Sequence, residues 1–150
     1  MEVRMKPVLA KNEMKIIKKQ PPNIQEINEA GLFYDKNSLF CWGEEIYTLA
    51  TDQIYPDTLY HEQIHSKQQK EFGSPEMWWK KYLINSEFRK EQEVEAFAEQ
   101  LKFVRIHYKN KEIKDALNEF AGNLSSNMYN LGLSIHQAET LIRKYDQKGT

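Results

Sequence analysis

His61-Glu62-Gln63-Ile64-His65 sets two imidazoles four residues apart with a carboxylate beside the first. An α-helix turns about 100° per residue, so the two rings leave one face a turn apart, where two ring nitrogens can reach a single Zn²⁺. Glu62 sits off that line. It cannot easily join the same coordination shell, but it can hold and deprotonate a water on the metal, the general-base role in hydrolysis. The chemistry these residues imply is zinc-dependent hydrolysis, with a peptide bond as the expected target.

The chemistry requires the motif to lie mid-helix. Pro56 suits a first helical turn, Asp57 suits the positive end of the helix dipole, and Gly73-Ser74-Pro75 stops the helix. On a helical wheel Gln63, Lys67 and Lys70 share one side, and His61, His65 and Phe72 lie opposite, so the histidines point inward. A buried imidazole pair needs a metal or hydrogen-bonding partners.

A catalytic zinc usually takes three protein ligands and leaves one position for water. The single cysteine, Cys41, falls in a strand-like run and reads as a small buried residue. The acid-rich stretch from Glu87 to Gln100 is the better source. Its helix carries an apolar stripe of Val94, Phe97, Leu101, Val104 and Tyr108, and Glu93 lies about 60° from the stripe's mean direction. Glu91 lies at about 100°, and Glu95 and Glu99 at about 140° and 180°, toward solvent. Glu87 lies as near as Glu93 but in the first turn, where the dipole explains an acid. Glu93 is therefore the expected third ligand. The competing reading makes all five acids a solvated charge run, with Lys90 and Lys102 as partners.

With Glu93-Val94-Glu95-Ala96 on the helix after the His61 to His65 motif, the chain resembles the gluzincin zinc metallopeptidases. The segment from Tyr55 to Gln100, including Gln68-Gln69, Pro75-Glu76-Met77-Trp78-Trp79, Tyr82-Leu83 and Phe88-Arg89, is similar to small metallopeptidase-like proteins of phages and bacteria, and in scale to minigluzincins. The resemblance implies a zincin-like minimal domain with Zn²⁺ on His61, His65 and Glu93, and with Glu62 as base. It also implies a sheet whose edge strand, here Ile46 to Leu49, pairs with substrate backbone. The chain departs from the pattern at Phe97, where several gluzincins carry an acid that orients a zinc-bound histidine. Support for the histidines must then come from other residues.

Peptide hydrolysis also needs a donor to the developing oxyanion. Among His107, Tyr108, Tyr129 and His136, Tyr129 is the choice, because the Leu124 to Asn130 stretch reads as a loop able to reach a cleft.

Length and composition bound the rest. At 150 residues the chain holds one domain, spanning 1–150, with residues 1–22 expected as an N-terminal arm. Hydrophobic content of 40% and charged content of 29% fit a globular protein, and a net charge of −1 disfavours a nucleic-acid partner. No apolar run is long enough to cross a bilayer, and a lone cysteine suits a reducing cytosol, so a cytoplasmic protein acting on a peptide or protein substrate is expected. The alternative is a zinc-binding interaction or accessory protein, phage-derived, that kept the site and lost turnover. A third reading is a helical structural protein without metal.

The expected fold is α+β and mainly helical. Lys6, Lys11, Lys15, Lys18 and Lys19 read as a solvated arm ending at Pro21-Pro22. Ile24 to Glu29 reads as a short helix. Leu32 to Tyr34, Leu39 to Trp42 and Glu45 to Leu49, with turns at Asp35-Lys36-Asn37 and Gly43, read as an antiparallel meander. Helices follow from Ser74 to Ile84, from a Ser86 cap to about Tyr108, from Lys111 to Ala121 with Gly122 as stop, and from a capping box at Ser134 to Gln137 onward. Trp78 and Trp79 read as core.

Overall fold

Local chemistry sets the helix boundaries. In the structure, a computed structural model describing residues 8–9, 14–49 and 53–148, helix α2 spans Pro56–Phe72. Tyr55 is extended, as a residue before proline must be, and Pro56 opens the helix without wasting a donor. Gly73, at φ 134°, closes it. Helix α3, Pro75–Ile84, starts from Ser74, whose side chain accepts the Met77 N–H at 3.1 Å. Helix α4, Ser86–His107, is capped one residue earlier than expected: Asn85 Oδ1 accepts the Phe88 N–H at 2.9 Å, leaving Ser86 inside the helix.

Helix α5, Asn110–Leu124, runs through Gly122 instead of stopping there. Leu124 is fully buried between helices, and that burial outweighs the cost of about 1 kcal/mol for a mid-helix glycine. Helix α6, Ile135–Lys148, opens on the expected capping box: Ser134 Oγ accepts the Gln137 N–H at 3.1 Å and Gln137 Oε1 accepts the Ser134 N–H at 2.9 Å. Helix α1, Ile24–Ala30, precedes the hairpin of residues 40–47. No helix among the described residues is long and apolar enough to cross a membrane.

The sheet differs from the expected meander. Strand β2, Lys15–Ile17, pairs in parallel with β4, Glu45–Tyr47, which pairs antiparallel with β3, Phe40–Trp42; the order β2-β4-β3 makes it mixed. Part of the expected arm is thus a strand. Lys15, Lys18 and Lys19 stay exposed, while Ile16 and Ile17 turn partly inward. Lys6, Lys11 and the Met1 to Lys6 opening lie outside the described residues. A second pair, β1 at Val8–Leu9 with β5 at Gln53–Ile54, sits just before α2.

Leu32 to Tyr34 forms no strand, because β2 occupies the position beside β4 and Gly31, at φ 77°, turns the chain out of α1. The Asp35-Lys36-Asn37 turn does form, with Asp35 Oδ1 accepting the Asn37 N–H at 2.9 Å. β4 is central, so Ile46 and Tyr47 are paired on both sides and cannot act as a substrate edge.

The hairpin is bolted to α2 by one side chain. Gln69, wholly buried, accepts the Gly43 N–H at 2.6 Å and donates to the Cys41 carbonyl at 2.8 Å. Trp79 donates to the same carbonyl at 2.9 Å, so the outward backbone acceptor of edge strand β3 is already used at Cys41. Two apolar clusters flank α2. One joins α4, α5 and α6 through Phe97, Leu101, Phe120, Leu124 and Ile142; the other joins α1 and α3 through Ile27, Trp78, Trp79, Tyr82 and Phe88. Trp78 and Trp79 are core residues, as expected.

Gln69→Leu keeps most of the volume but leaves the Gly43 N–H without its acceptor. Urea unfolding of this variant should show a loss of about 2 kcal/mol. A change under about 0.5 kcal/mol would mean that packing alone holds the hairpin.

Candidate metal centre

Helix α2 buries a polar face. Its buried residues are Asp57, His61, Glu62, His65, Gln68 and Gln69, and 57, 61, 65 and 68 form one stripe at i, i+4 and i+3 spacing. Glu93 of α4 faces this stripe. Each buried polar group needs a partner, and α4 supplies most of them.

His61 Nε2 lies 3.3 Å from Glu93 Oε1, and His65 Nε2 lies 3.2 Å from both carboxylate oxygens. One donor atom from each of the three residues falls within 4.8 Å of the others. A tetrahedral zinc with bonds of about 2.0–2.1 Å has ligand-to-ligand edges of roughly 3.3 Å, so the two histidine-to-glutamate edges already match that ion. The three residues and Glu62 are between 2% and 7% exposed, a degree of burial that excludes a solvated charge run for Glu93.

The outer nitrogens of both rings are also engaged. His61 Nδ1 lies 2.9 Å from Gln100 Oε1, and Gln100 Nε2 donates to Asp57 Oδ2 at 2.8 Å. His65 Nδ1 lies 2.8 Å from Gln68 Oε1; Gln68 Nε2 donates to the Gln92 carbonyl at 3.0 Å and to Glu95 Oε1 at 2.7 Å. Phe97 packs its ring 4.5 Å from that of His61 and gives it no hydrogen bond. Tyr82 Oη donates to Glu93 Oε2 at 2.6 Å.

Tyr129 lies on the connector between α5 and α6 and lines a cavity of about 60 Å³ together with His61, Glu62, His65, Glu93 and Tyr82. Leu32, Phe33, Tyr34, Leu39 and Phe40 form its apolar wall, which is where the missing strand went. Buried Arg89 holds the connector, donating to the carbonyls of Tyr129 and Tyr82 at 2.7 Å each. His107 and His136 are exposed, and neither they nor Tyr108 line this cavity. Cys41 lines it but is not part of the ligand cluster.

Electrostatics follow from burial and proximity. Burial raises the Glu62 carboxyl above its ordinary value, against the pull of His61 and His65 and with the repulsion of Glu93. Burial alone would lower His65, but Glu93 overrides it and, with Glu62 and Gln68, pushes it up to about 9. Burial alone would raise Glu93; the imidazoles override it and hold the carboxyl well below the usual carboxylate range. Burial, then Glu93 and Glu62, push the Tyr129 hydroxyl up, so it stays a proton donor across the physiological range.

Sequence reasoning missed Gln68, Gln100, Asp57, Tyr82, Arg89 and Glu95. Three carried a signal: Asp57 stands four residues before His61, Gln68 three after His65 and Gln100 seven after Glu93, all on the site-facing sides of their helices. Glu95, expected in solvent, is half-buried and also accepts from Tyr145 of α6 at 2.8 Å. Glu87 and Glu99 do pair with Lys90 and Lys102, at 3.0 and 3.3 Å. Tyr82 and Arg89 come from tertiary packing and have no local signature.

No family model matches the chain, and no curated protein or solved structure matches it either.

The raised His65 gives a pH signature. In chelated protein its stabilising contact with Glu93 is complete below pH 6.5 and is lost as pH rises through about 9, so the melting temperature should fall across that window. Zinc must displace the His65 proton, so its apparent affinity should rise about tenfold per pH unit over the same window. Titration with zinc and a competing chelator at several pH values checks both; an affinity flat with pH would contradict the assignment.

Proposed function

We propose that the chain is a small zinc-dependent hydrolase acting on peptide bonds, of the gluzincin type, with His61, His65 and Glu93 as ligands and Glu62 as general base. The observation that carries this reading is the arrangement of the two Nε2 atoms 3.2–3.3 Å from the Glu93 carboxylate, beside an acid whose pKa burial has raised. An upward shift is the direction that favours a carboxylate as general base at ordinary pH.

When bound, Zn²⁺ would supply a Lewis acid that polarises the scissile carbonyl and makes a water more acidic. Glu62 takes a proton from the attacking water and returns it to the leaving amine. Tyr129, protonated and lining the same cavity, donates to the carbonyl oxygen as charge develops there. Tyr82 holds the Glu93 carboxylate by its hydrogen bond, and Arg89 holds the Tyr129 connector. The apolar wall from Leu32 to Phe40 limits the water that reaches the base.

The second reading, a zinc-binding interaction protein without turnover, draws on the smallness of the cavity, about 60 Å³, and on the used backbone acceptor of β3. Digestion of a broad peptide library separates the two: chelator-sensitive cleavage removes the second reading, and inactivity with stoichiometric zinc removes the first.

Glu62→Gln should retain zinc and lose hydrolysis; cleavage at the wild-type rate would remove Glu62 as base. Tyr129→Phe should retain zinc and lower kcat by roughly 100-fold, with KM little changed. An unchanged kcat would exclude the hydroxyl as the oxyanion donor.

A further inference from the structure

We infer that Gln68 and Gln100 are positioning residues that decide which nitrogen of His65 and of His61 is free to bind a cation. The inference rests on the zinc reading for its functional meaning, but the geometry behind it stands by itself.

A carboxamide accepts at its oxygen and donates at its nitrogen, and its outline is nearly the same either way round. What lies behind each amide fixes its direction. Gln68 has the Gln92 carbonyl at 3.0 Å and Glu95 Oε1 at 2.7 Å on its far side. A backbone carbonyl never donates and a carboxylate only accepts, so Gln68 must present its NH₂ group to them. Its oxygen then faces His65 Nδ1 at 2.8 Å, and an amide oxygen can only accept. His65 Nδ1 therefore carries a hydrogen whatever the charge on the ring, and the proton that a cation must displace is the one on Nε2, the nitrogen beside Glu93. The same logic runs through Gln100. Its NH₂ faces buried Asp57 Oδ2 at 2.8 Å, its oxygen faces His61 Nδ1 at 2.9 Å, and His61 Nε2 is the nitrogen left to face Glu93 and a cation.

Both rings thus have their tautomer set by an acid two hydrogen bonds away. Placing the acid directly on the ring would bring a third carboxylate against Glu62 and Glu93, and Glu93 already raises Glu62. A neutral amide transmits the direction of the hydrogen bond and keeps the extra charge one side chain further out. This also accounts for Phe97: the support that an acid there could give His61 comes from Gln100, one turn further along α4. The relay behind His65 extends to α6, because Tyr145 donates to the other oxygen of Glu95 at 2.8 Å.

The test uses full-length wild type, Gln68→Leu, Gln100→Leu and the double variant Asp57→Asn with Gln100→Glu. The double variant reverses the relay: a carboxylate accepts from His61 Nδ1–H and from the new Asn amide. Long-range ¹H–¹⁵N NMR identifies the protonated ring nitrogen, and chelator competition gives the zinc dissociation constant. Wild type should show Nδ1–H on both rings, with zinc on both Nε2 atoms. Each Leu variant should bind zinc roughly 10 to 100 times more weakly, and the double variant should recover to within a few fold of wild type. A wild-type ring without hydrogen on Nδ1, or Leu variants binding as tightly as wild type, overturns the inference.

If the Leu variants do not fold, the wild-type tautomers decide it. If wild type takes up no zinc, the zinc reading fails separately. The ring nitrogens are then read in chelated protein, where hydrogen on Nδ1 of both rings upholds the relays and a bare Nδ1 on either overturns them.

Discussion

Helix α2 turns six polar side chains into the protein and none of its buried residues is apolar. Taking hydroxyls, amides and charges out of water costs several kcal/mol unless each is paired, so the rest of the fold has to supply partners at fixed positions. Helix α4 meets most of that demand with Glu93 and Gln100, helix α3 adds Tyr82 against Glu93, and the hairpin closes on Gln69. The apolar clusters on either side provide ordinary stability, and the polar seam between them specifies how the helices register.

That seam is balanced in charge as well as in hydrogen bonds. Two carboxylates and two imidazoles share a small volume, and their mutual influence drives Glu93 down and His65 up. Amides stand where further acids would be the simplest partners, and the acids they lean on, Asp57 and Glu95, are set back behind them. Such a layout favours a cation at the centre without trapping excess negative charge around it.

Much of this was legible in the residue pattern. Pro56, Ser74-Pro75 and the Ser134 to Gln137 box fixed helix starts through local hydrogen bonding, which a sequence encodes directly. Glu93 was singled out among five acids because helical periodicity gives each residue a direction, and its burial agrees with that direction. Glu95 shows the limit of the same argument: an angle measured from one apolar stripe does not see a second helix packing on the flank, and Gln68 and Tyr145 cover it. The sheet was misjudged for a related reason. A lysine-rich segment reads as solvated, yet Lys15–Ile17 needs only alternate residues inward to complete a sheet, and its pairing with Glu45–Tyr47 is far away in sequence. Arg89, inside a run of acids, looks like a surface charge until three backbone carbonyls from two separate segments are seen around it.

The most direct test of the account is a crystal of the zinc-soaked protein, with anomalous diffraction collected on both sides of the zinc absorption edge. The account predicts one strong peak, about 2.0–2.1 Å from His61 Nε2, His65 Nε2 and a Glu93 oxygen, with the carboxamides of Gln68 and Gln100 still against both Nδ1 atoms. A peak elsewhere on the chain, or no peak at saturating zinc while His65 and Glu93 remain in direct contact, would contradict it.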